Sequence, residues 1–267
     1  MKRKKINVNS VKTIVYPVAF GVLILFLWQT QIFHKLFHTD TYILPLPTRI
    51  VQIMAENTGK IWENTQASLL VIILGLLLGS LLGYLIALFA ASLPGVGKGA
   101  LTIISAFNAI PIVALAPVII NWTKDVSKEA EIRSMVAKII VVTIVCMASM
   151  SVNAYRGRTE LKPFSLDLMK SYAANKRTVF LKLRLPNSIP YIFTALRVGV
   201  PSSVISGLVS EYFAEYRIGV GRQIRENILI AQYATAWAYI VTACLIGIAM
   251  FVLLLLVESI LMRKHSH

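Results

Sequence analysis

The chain has 267 residues, 57% of them hydrophobic, and a mean hydropathy of +0.70, which excludes an ordinary soluble domain. Lys and Arg outnumber Asp and Glu by 27 to 12, a net charge of +15. With no soluble domain to carry it, that charge bears on loop placement in a membrane and not on nucleic acid. The apolar residues form continuous runs close to the roughly 20 residues that cross about 30 Å of hydrocarbon. Continuous runs point to helices, where alternating ones would point to a barrel. The expected fold is an all-α integral membrane protein of about six transmembrane helices. Cys146 and Cys244 both lie in apolar runs, so no disulfide framework is indicated.

The first expected span, 13–33, follows a basic N-terminal stretch, 1–12. Its run is long for a signal sequence and no small-x-small cleavage site follows, so a retained helix is expected. Residues 34–65 form an external segment. Within it Ile50, Ile53 and Met54 share one helical face, which predicts a short amphipathic helix at the membrane surface. The second span, 66–91, repeats Gly75, Gly79 and Gly83, a small-residue face for close helix approach. The third, 99–122, contains Pro111 and Pro117. The fourth covers 135–155. The fifth, 189–214, contains Pro190 and Pro201, and the sixth covers 236–261. Prolines inside membrane helices kink them and free carbonyls for neighbours or a cavity.

Sixteen basic residues fall on the side of the two termini and of the loop 156–188, against nine on the other. Both termini are therefore expected in the cytoplasm. Chemistry of other kinds is missing. LPGVGKGALT lacks the spacing of a phosphate loop, and RIGVGRQI lacks the third glycine of a dinucleotide fingerprint. His34 and His38 are spaced i, i+4 but have no third ligand nearby. No catalytic grouping stands out, so no catalytic residue, metal site or ATP site is assigned to this chain and it is read as a non-enzyme.

The loop 156–188 is different. Its stretch SLDLMKSYAANKRTVFLKLRLP is amphipathic, with Leu166, Met169, Ala173, Arg177 and Phe180 at helical spacing. Pro186 is expected to force Leu185 out of the helical region, and Pro190 sits where the next helix can begin. The reading is a short helix across the membrane mouth, joined by a rigid elbow to the fifth span. An apolar face of this kind calls for a docking partner.

This loop resembles the coupling loop of binding-protein-dependent ABC importer permeases, whose pattern runs E-A-A, three residues, Gly, then about a dozen residues to an aliphatic-Pro pair. Counted back from Leu185-Pro186, Asp167-Leu168-Met169 stands at the E-A-A position and Ala173 at the glycine. LPLPTRIVQIM, ASLLVIILGLLLGSLLGYLIAL, FNAIPIVALAPVIINW, SIPYIFTALRVG and SEYF…IGVG resemble further family segments. The likeness covers about residues 42–258 and is nearest to the subfamily for nitrate, taurine, aliphatic sulfonates and precursors of thiamine or riboflavin. The resemblance implies a type I ABC importer permease fold spanning 66–261, with a cytoplasmic coupling helix. It also implies a homodimer in a prokaryotic cell membrane, an external substrate-binding protein, and a cytoplasmic ATPase dimer that carries the ATP and Mg.

Asp167, Leu168, Met169, Tyr172, Ala173, Leu185 and Pro186 are the residues expected to couple to the ATPase. Asn108, Arg197, Ser202, Ser203, Ser206 and Glu211 are candidates for the substrate pathway. Two alternatives stay open for two of these. Arg197 either snorkels to the cytoplasmic interface or meets an anion, and Glu211 is either a pathway acid or an interfacial one. The three arginines of EYRIGVGRQIREN are candidates to greet an anion or to dock an acidic binding protein. The shortage of deep cations favours a flat heteroaromatic vitamin precursor as substrate. A stand-alone secondary transporter or channel is the alternative, and it would need ion-coupling acids at depth beyond Glu211.

Overall fold

The computed structural model describes residues 8–93, 95 and 97–263, and every regular element among them is helical. Of the basic residues counted above, Lys2, Arg3, Lys4, Lys5 and Lys264 lie outside the described residues, as does the side chain of Asn108.

Helix α1 (Val8–Gln29) is followed by a turn through Gln31, at φ 62°, and the short α2 (Ile32–Leu36). Helix α3 (Pro47–Glu56) starts on a proline, whose fixed φ suits the first helical position. This is the expected amphipathic helix. Its apolar face is covered by protein: Ile50 and Ile53 pack on Ala238. Helix α4 (Thr58–Ser92) is 35 residues long and overwhelmingly apolar.

The third expected span is two helices, α5 (Gly97–Ala106) and α6 (Ile112–Trp122). A 3-10 turn at Phe107–Ala109 and the extended Ile110 and Pro111, with ψ 122° and 123°, separate them. Pro111 lacks an amide proton and disfavours the helical region for Ile110, so the chain opens where a helix would otherwise continue. Helix α7 (Ala130–Thr159) follows, then α8 (Ser165–Ser171) and α9 (Lys176–Val179). A π turn at Phe180–Arg184 leads into α10 (Leu185–Phe213), and α11 (Val220–Leu229) and α12 (Tyr233–Arg263) complete the chain. Among the described residues, four continuous helical stretches are long and apolar enough to cross a membrane, against the six expected: Thr58–Ser92, Ala130–Thr159, Lys176–Phe213 and Tyr233–Met262.

The glycine face of α4 lies on α7. A Cβ at Gly79 would stand 2.6 Å from the Thr143 carbonyl oxygen, and one at Gly83 would stand 2.6 Å from that of Met147. Only hydrogen fits there, and the two helices run parallel in near backbone contact. Helix α10 returns antiparallel between them. At one end its Ser188 and Tyr191 touch Gly157, and at the other its Gly207 meets Ile72 and Val142. A core of Ile72, Val204, Val220, Tyr239 and Ile246 ties α4, α10, α11 and α12 together. The bundle has two functional ends: α8 and α9 lie at one, α3 and α11 at the other.

Candidate functional site

Helix α8 is short and marked at both ends by left-handed backbone, Phe164 at φ 63° and Ala173 at φ 49°. Its C-terminus closes as a Schellman motif: Ala173 N–H donates to the Lys170 carbonyl (2.8 Å) and Ala174 N–H to that of Met169 (3.0 Å). Ala173 is the residue aligned with the motif glycine, and it occupies the one conformation in this turn that favours glycine. Asn175 then caps α9, its Oδ1 accepting from Thr178 N–H at 2.8 Å.

Asp167 bonds Lys170 across one turn at 3.0 Å, in full exposure. The apolar residues of α8 have little cover. Leu168 within the helix, and Phe164 and Tyr172 at its two caps, remain 57%, 82% and 77% exposed, and Leu168 and Tyr172, four residues apart, share one face. Met169, expected to share that contact, is half-buried on the chain's own side. Phe164 was not among the expected contacts, although its four-residue spacing from Leu168 was there to be counted.

The expected elbow does not form. Leu185 is helical, with φ −67° and ψ −51°, and helix runs unbroken from Lys176 to Phe213. The π turn ends at Arg184, just before Pro186, which has no amide proton to continue the α-helical ladder, and the wider turn accommodates it inside the continuous helix. The joint is stiffened from the side. Asn187 Nδ2 donates to the carbonyls of Gly157 (2.7 Å) and Glu160 (3.2 Å), fastening α10 to the end of α7.

The remaining candidates are spread along α10 and form no single cluster. Arg197 makes a two-pronged ion pair with Glu258 of α12, Nε to Oε2 at 2.9 Å and Nη2 to Oε1 at 2.7 Å. Its charge is therefore matched within the chain. Ser202 is half-buried and donates to the Val198 carbonyl. Ser203 and Ser206 are fully buried and donate to the carbonyls of Val200 and Ser203. They pack in the helix interface, in contrast to the open lining a pathway would have.

Glu211 fits neither expected description, because it is completely buried inside the chain. Its Oε2 accepts from Ser68 Oγ (2.9 Å) and from Gly221 N–H (2.8 Å). Ser68 Oγ in turn accepts from Val220 N–H (2.9 Å), and Asn64 Oδ1 from Gly219 N–H (2.9 Å). Three consecutive amides at the N-terminus of α11, its cap Gly219 and its first residues Val220 and Gly221, are thus held by side chains of α4 and α10. Gly219 has φ 127°, and a Cβ there would lie 2.5 Å from the Glu211 carboxyl carbon, so the carboxylate reaches this loop only over a glycine. The buried Lys138 of α7 lies within electrostatic reach of Glu211. Nothing singled out Asn64, Ser68 or Lys138 in the sequence, where Ser68 and Glu211 are 143 residues apart.

The loop arginines are also engaged. Arg222 pairs with Glu226 at 3.1 Å and donates to the Ala214 carbonyl, Arg217 approaches Glu226 at 3.6 Å, and Arg225 stacks on Tyr212.

Residues 75–265 match the family model of binding-protein-dependent transport system inner membrane components. The formylaminopyrimidine transport permease protein ThiX of Halalkalibacterium halodurans is 26% identical over 247 residues, covering 92% of this chain and 94% of its own. The riboflavin transport system permease protein RibX of Chloroflexus aurantiacus is 26% identical over 251 residues, covering 92% and 88%. A probable ABC transporter permease protein of Haemophilus influenzae is 28% identical over 196 residues, covering 73% and 76%. In fold, a chain of the MetNI methionine ABC transporter in its inward-facing form matches with a TM-score of 0.52 at 16% identity, over 76% of this chain and 96% of that one. The chain therefore belongs to the binding-protein-dependent transport system inner membrane components, as a membrane permease of the ABC importer class and not a stand-alone transporter or channel.

Proposed function

We propose that this permease imports a small vitamin precursor, a pyrimidine of the thiamine route or a flavin, and that it takes its driving force from an ATPase docked on α8. The observation that carries the reading is the face of Phe164, Leu168 and Tyr172, left uncovered by the rest of the chain. Aromatic and aliphatic anchors on a short rigid helix suit insertion into a groove of a partner. ATP and Mg belong to that partner, and the Schellman turn at Ala173 holds α8 across its path. The sixteen-to-nine basic bias supports placing the α8 end and both termini in the cytoplasm, with α3 and α11 toward an external binding protein. A second copy of the chain completes the pathway.

The two named relatives that transport formylaminopyrimidine and riboflavin supply the substrate class. The charge pattern supports it. Lys138 and Arg197, two cations of the long helices, each face an acid of the same chain, an arrangement suited to an uncharged, flat solute more than to an inorganic anion. The test is co-expression with ABC ATPase subunits from the same genome, followed by purification and uptake assays in liposomes with the candidate binding proteins. Leu168→Asp puts a charge into the docked face, at a cost of several kcal/mol. It is expected to lose the ATPase on purification, while wild type retains it and takes up the pyrimidine or riboflavin in an ATP-dependent manner. Stoichiometric ATPase with Leu168→Asp removes α8 as the docking helix. Uptake of nitrate or taurine in preference to both vitamin compounds removes the substrate assignment.

A further inference from the structure

A groove of about 830 Å³ opens between α4, α10 and α12. Its walls, including Leu69, Leu76, Leu81, Leu196, Met250 and Leu253, are aliphatic or thioether apart from Ser80 and Tyr84. Toward the α8 end it finishes at Tyr84 and Leu185. Beside that end lie polar groups that the chain leaves without partners. Arg158 is 4% exposed, stacked over the Phe180 ring at 4.7 Å, and its Nε and Nη1 donate to nothing. Arg184 Nε is likewise buried and unpartnered, and the buried Tyr84 hydroxyl lies within hydrogen-bonding reach of the Arg158 guanidinium, which leaves its own proton free to donate. Tyr84 and Arg184 both lie within electrostatic reach of the Arg158 guanidinium.

Two neighbouring like charges with unmet donors are doubly unfavourable. The acids at this end of the bundle offer no relief. Glu258 is bound to Arg197, Asp167 to Lys170, and Glu160 accepts from the Tyr191 hydroxyl. A phosphodiester would meet every demand at once: it accepts from both guanidiniums and from the phenol, and its acyl chains run into the groove.

We propose that this groove is a binding site for an anionic phospholipid, with the phosphate held between Arg158, Arg184 and Tyr84 and the acyl chains along α4, α10 and α12. The first helix of a second copy would suit the groove's apolar walls. However, its sequence supplies no acid, and the basic cluster of Lys2, Arg3, Lys4 and Lys5 at its start would add to the repulsion.

The test uses the full-length chain in detergent, titrated with phosphatidylglycerol, with phosphatidylcholine and with inorganic phosphate, and bound lipid is counted by native mass spectrometry. Phosphatidylglycerol is expected to bind in preference to phosphatidylcholine. Arg184→Gln and Arg158→Gln are each expected to weaken it about tenfold, the loss of one charge-assisted hydrogen bond. Ser80→Trp fills the groove without touching the arginines and should abolish retention while the chain stays folded by circular dichroism. Equal binding of the two lipids, or binding unchanged in all three variants, overturns the site. Inorganic phosphate displacing the lipid at millimolar concentration makes it a soluble-anion site and overturns the lipid assignment. A disulfide between cysteines placed at Leu77 and at Phe20 of a second copy shows the groove filled by a helix, and overturns it as well.

Discussion

Glu211 shows what a carboxylate can do when it has no route to water. Buried whole, it accepts from Ser68 and from Gly221 and faces Lys138. Each of these charges is tolerable because the other is present. Glu211→Gln keeps acceptors for Ser68 and Gly221 but strands Lys138, and Lys138→Met strands Glu211. Each single change is expected to cost about 1–3 kcal/mol, the range for a buried polar group that loses its counterpart. The double variant, which replaces the pair by an amide and a thioether, should cost less than the sum by about 1–3 kcal/mol. Denaturation of the four detergent-purified proteins closes the cycle, and strict additivity would show that the two residues do not interact. Intramembrane acids are usually read as pathway groups, and the sequence offers no way to tell that Glu211 is otherwise employed. Its partner Ser68 belongs to a different span, and a single polar residue in an apolar run carries no address.

At the scale of elements, α8 shows what spacing does reveal. Counting back from Leu185-Pro186 places Ala173 at a motif glycine, and the structure gives that residue φ 49°. The motif's glycine is thus a backbone requirement, and this chain meets it with a methyl group present. Left-handed backbone costs a non-glycine residue about 1–2 kcal/mol. Ala173→Gly is therefore expected to stabilise α8 by about 0.5–1 kcal/mol, net of glycine's greater freedom in the unfolded chain. Hydrogen exchange at the amides of Ala173 and Ala174 measures this directly: protection should rise in the variant, and unchanged or reduced protection contradicts it. The elbow at Pro186 was misread for the opposite reason. The rule that a residue before proline avoids the helical region is local, whereas Leu185 is held helical by packing around Gly157 and by the Asn187 bonds to α7. The glycines of α4 announced a close contact without naming the partner helix, because the spacing describes one surface only. The break of the third span was legible as a disturbance at Pro111, but not as two separate helices.

Across the whole molecule the two ends differ in kind. At the α3 and α11 end the chain's own polar groups are joined in a network, from Asn64 and Gly219 through Glu211 and Gly221, with Arg133 bound to Glu215 at 2.8 Å nearby. At the α8 end an apolar face is bare and guanidiniums lack acceptors, so that end is built to be completed by other molecules. Between α8 and α10 lies the π turn of Phe180–Arg184, which inserts one residue beyond the α-helical count. A π turn takes one residue more than an α turn to close, so the extra residue is held in a wider turn and the helix on either side keeps the phase it would have without it. Deleting Lys182 should therefore leave α10 and its membrane contacts in place, shorten the turn to an ordinary α-helical one, and leave Phe164, Leu168 and Tyr172 aimed as they are. The expected result, read by co-purification, is an intact, membrane-inserted permease that still retains the ATPase proposed to dock on α8. Loss of that partner would show that the turn contributes contacts of its own, where the geometry gives it only slack, like a loop of rope that is drawn in without moving either end.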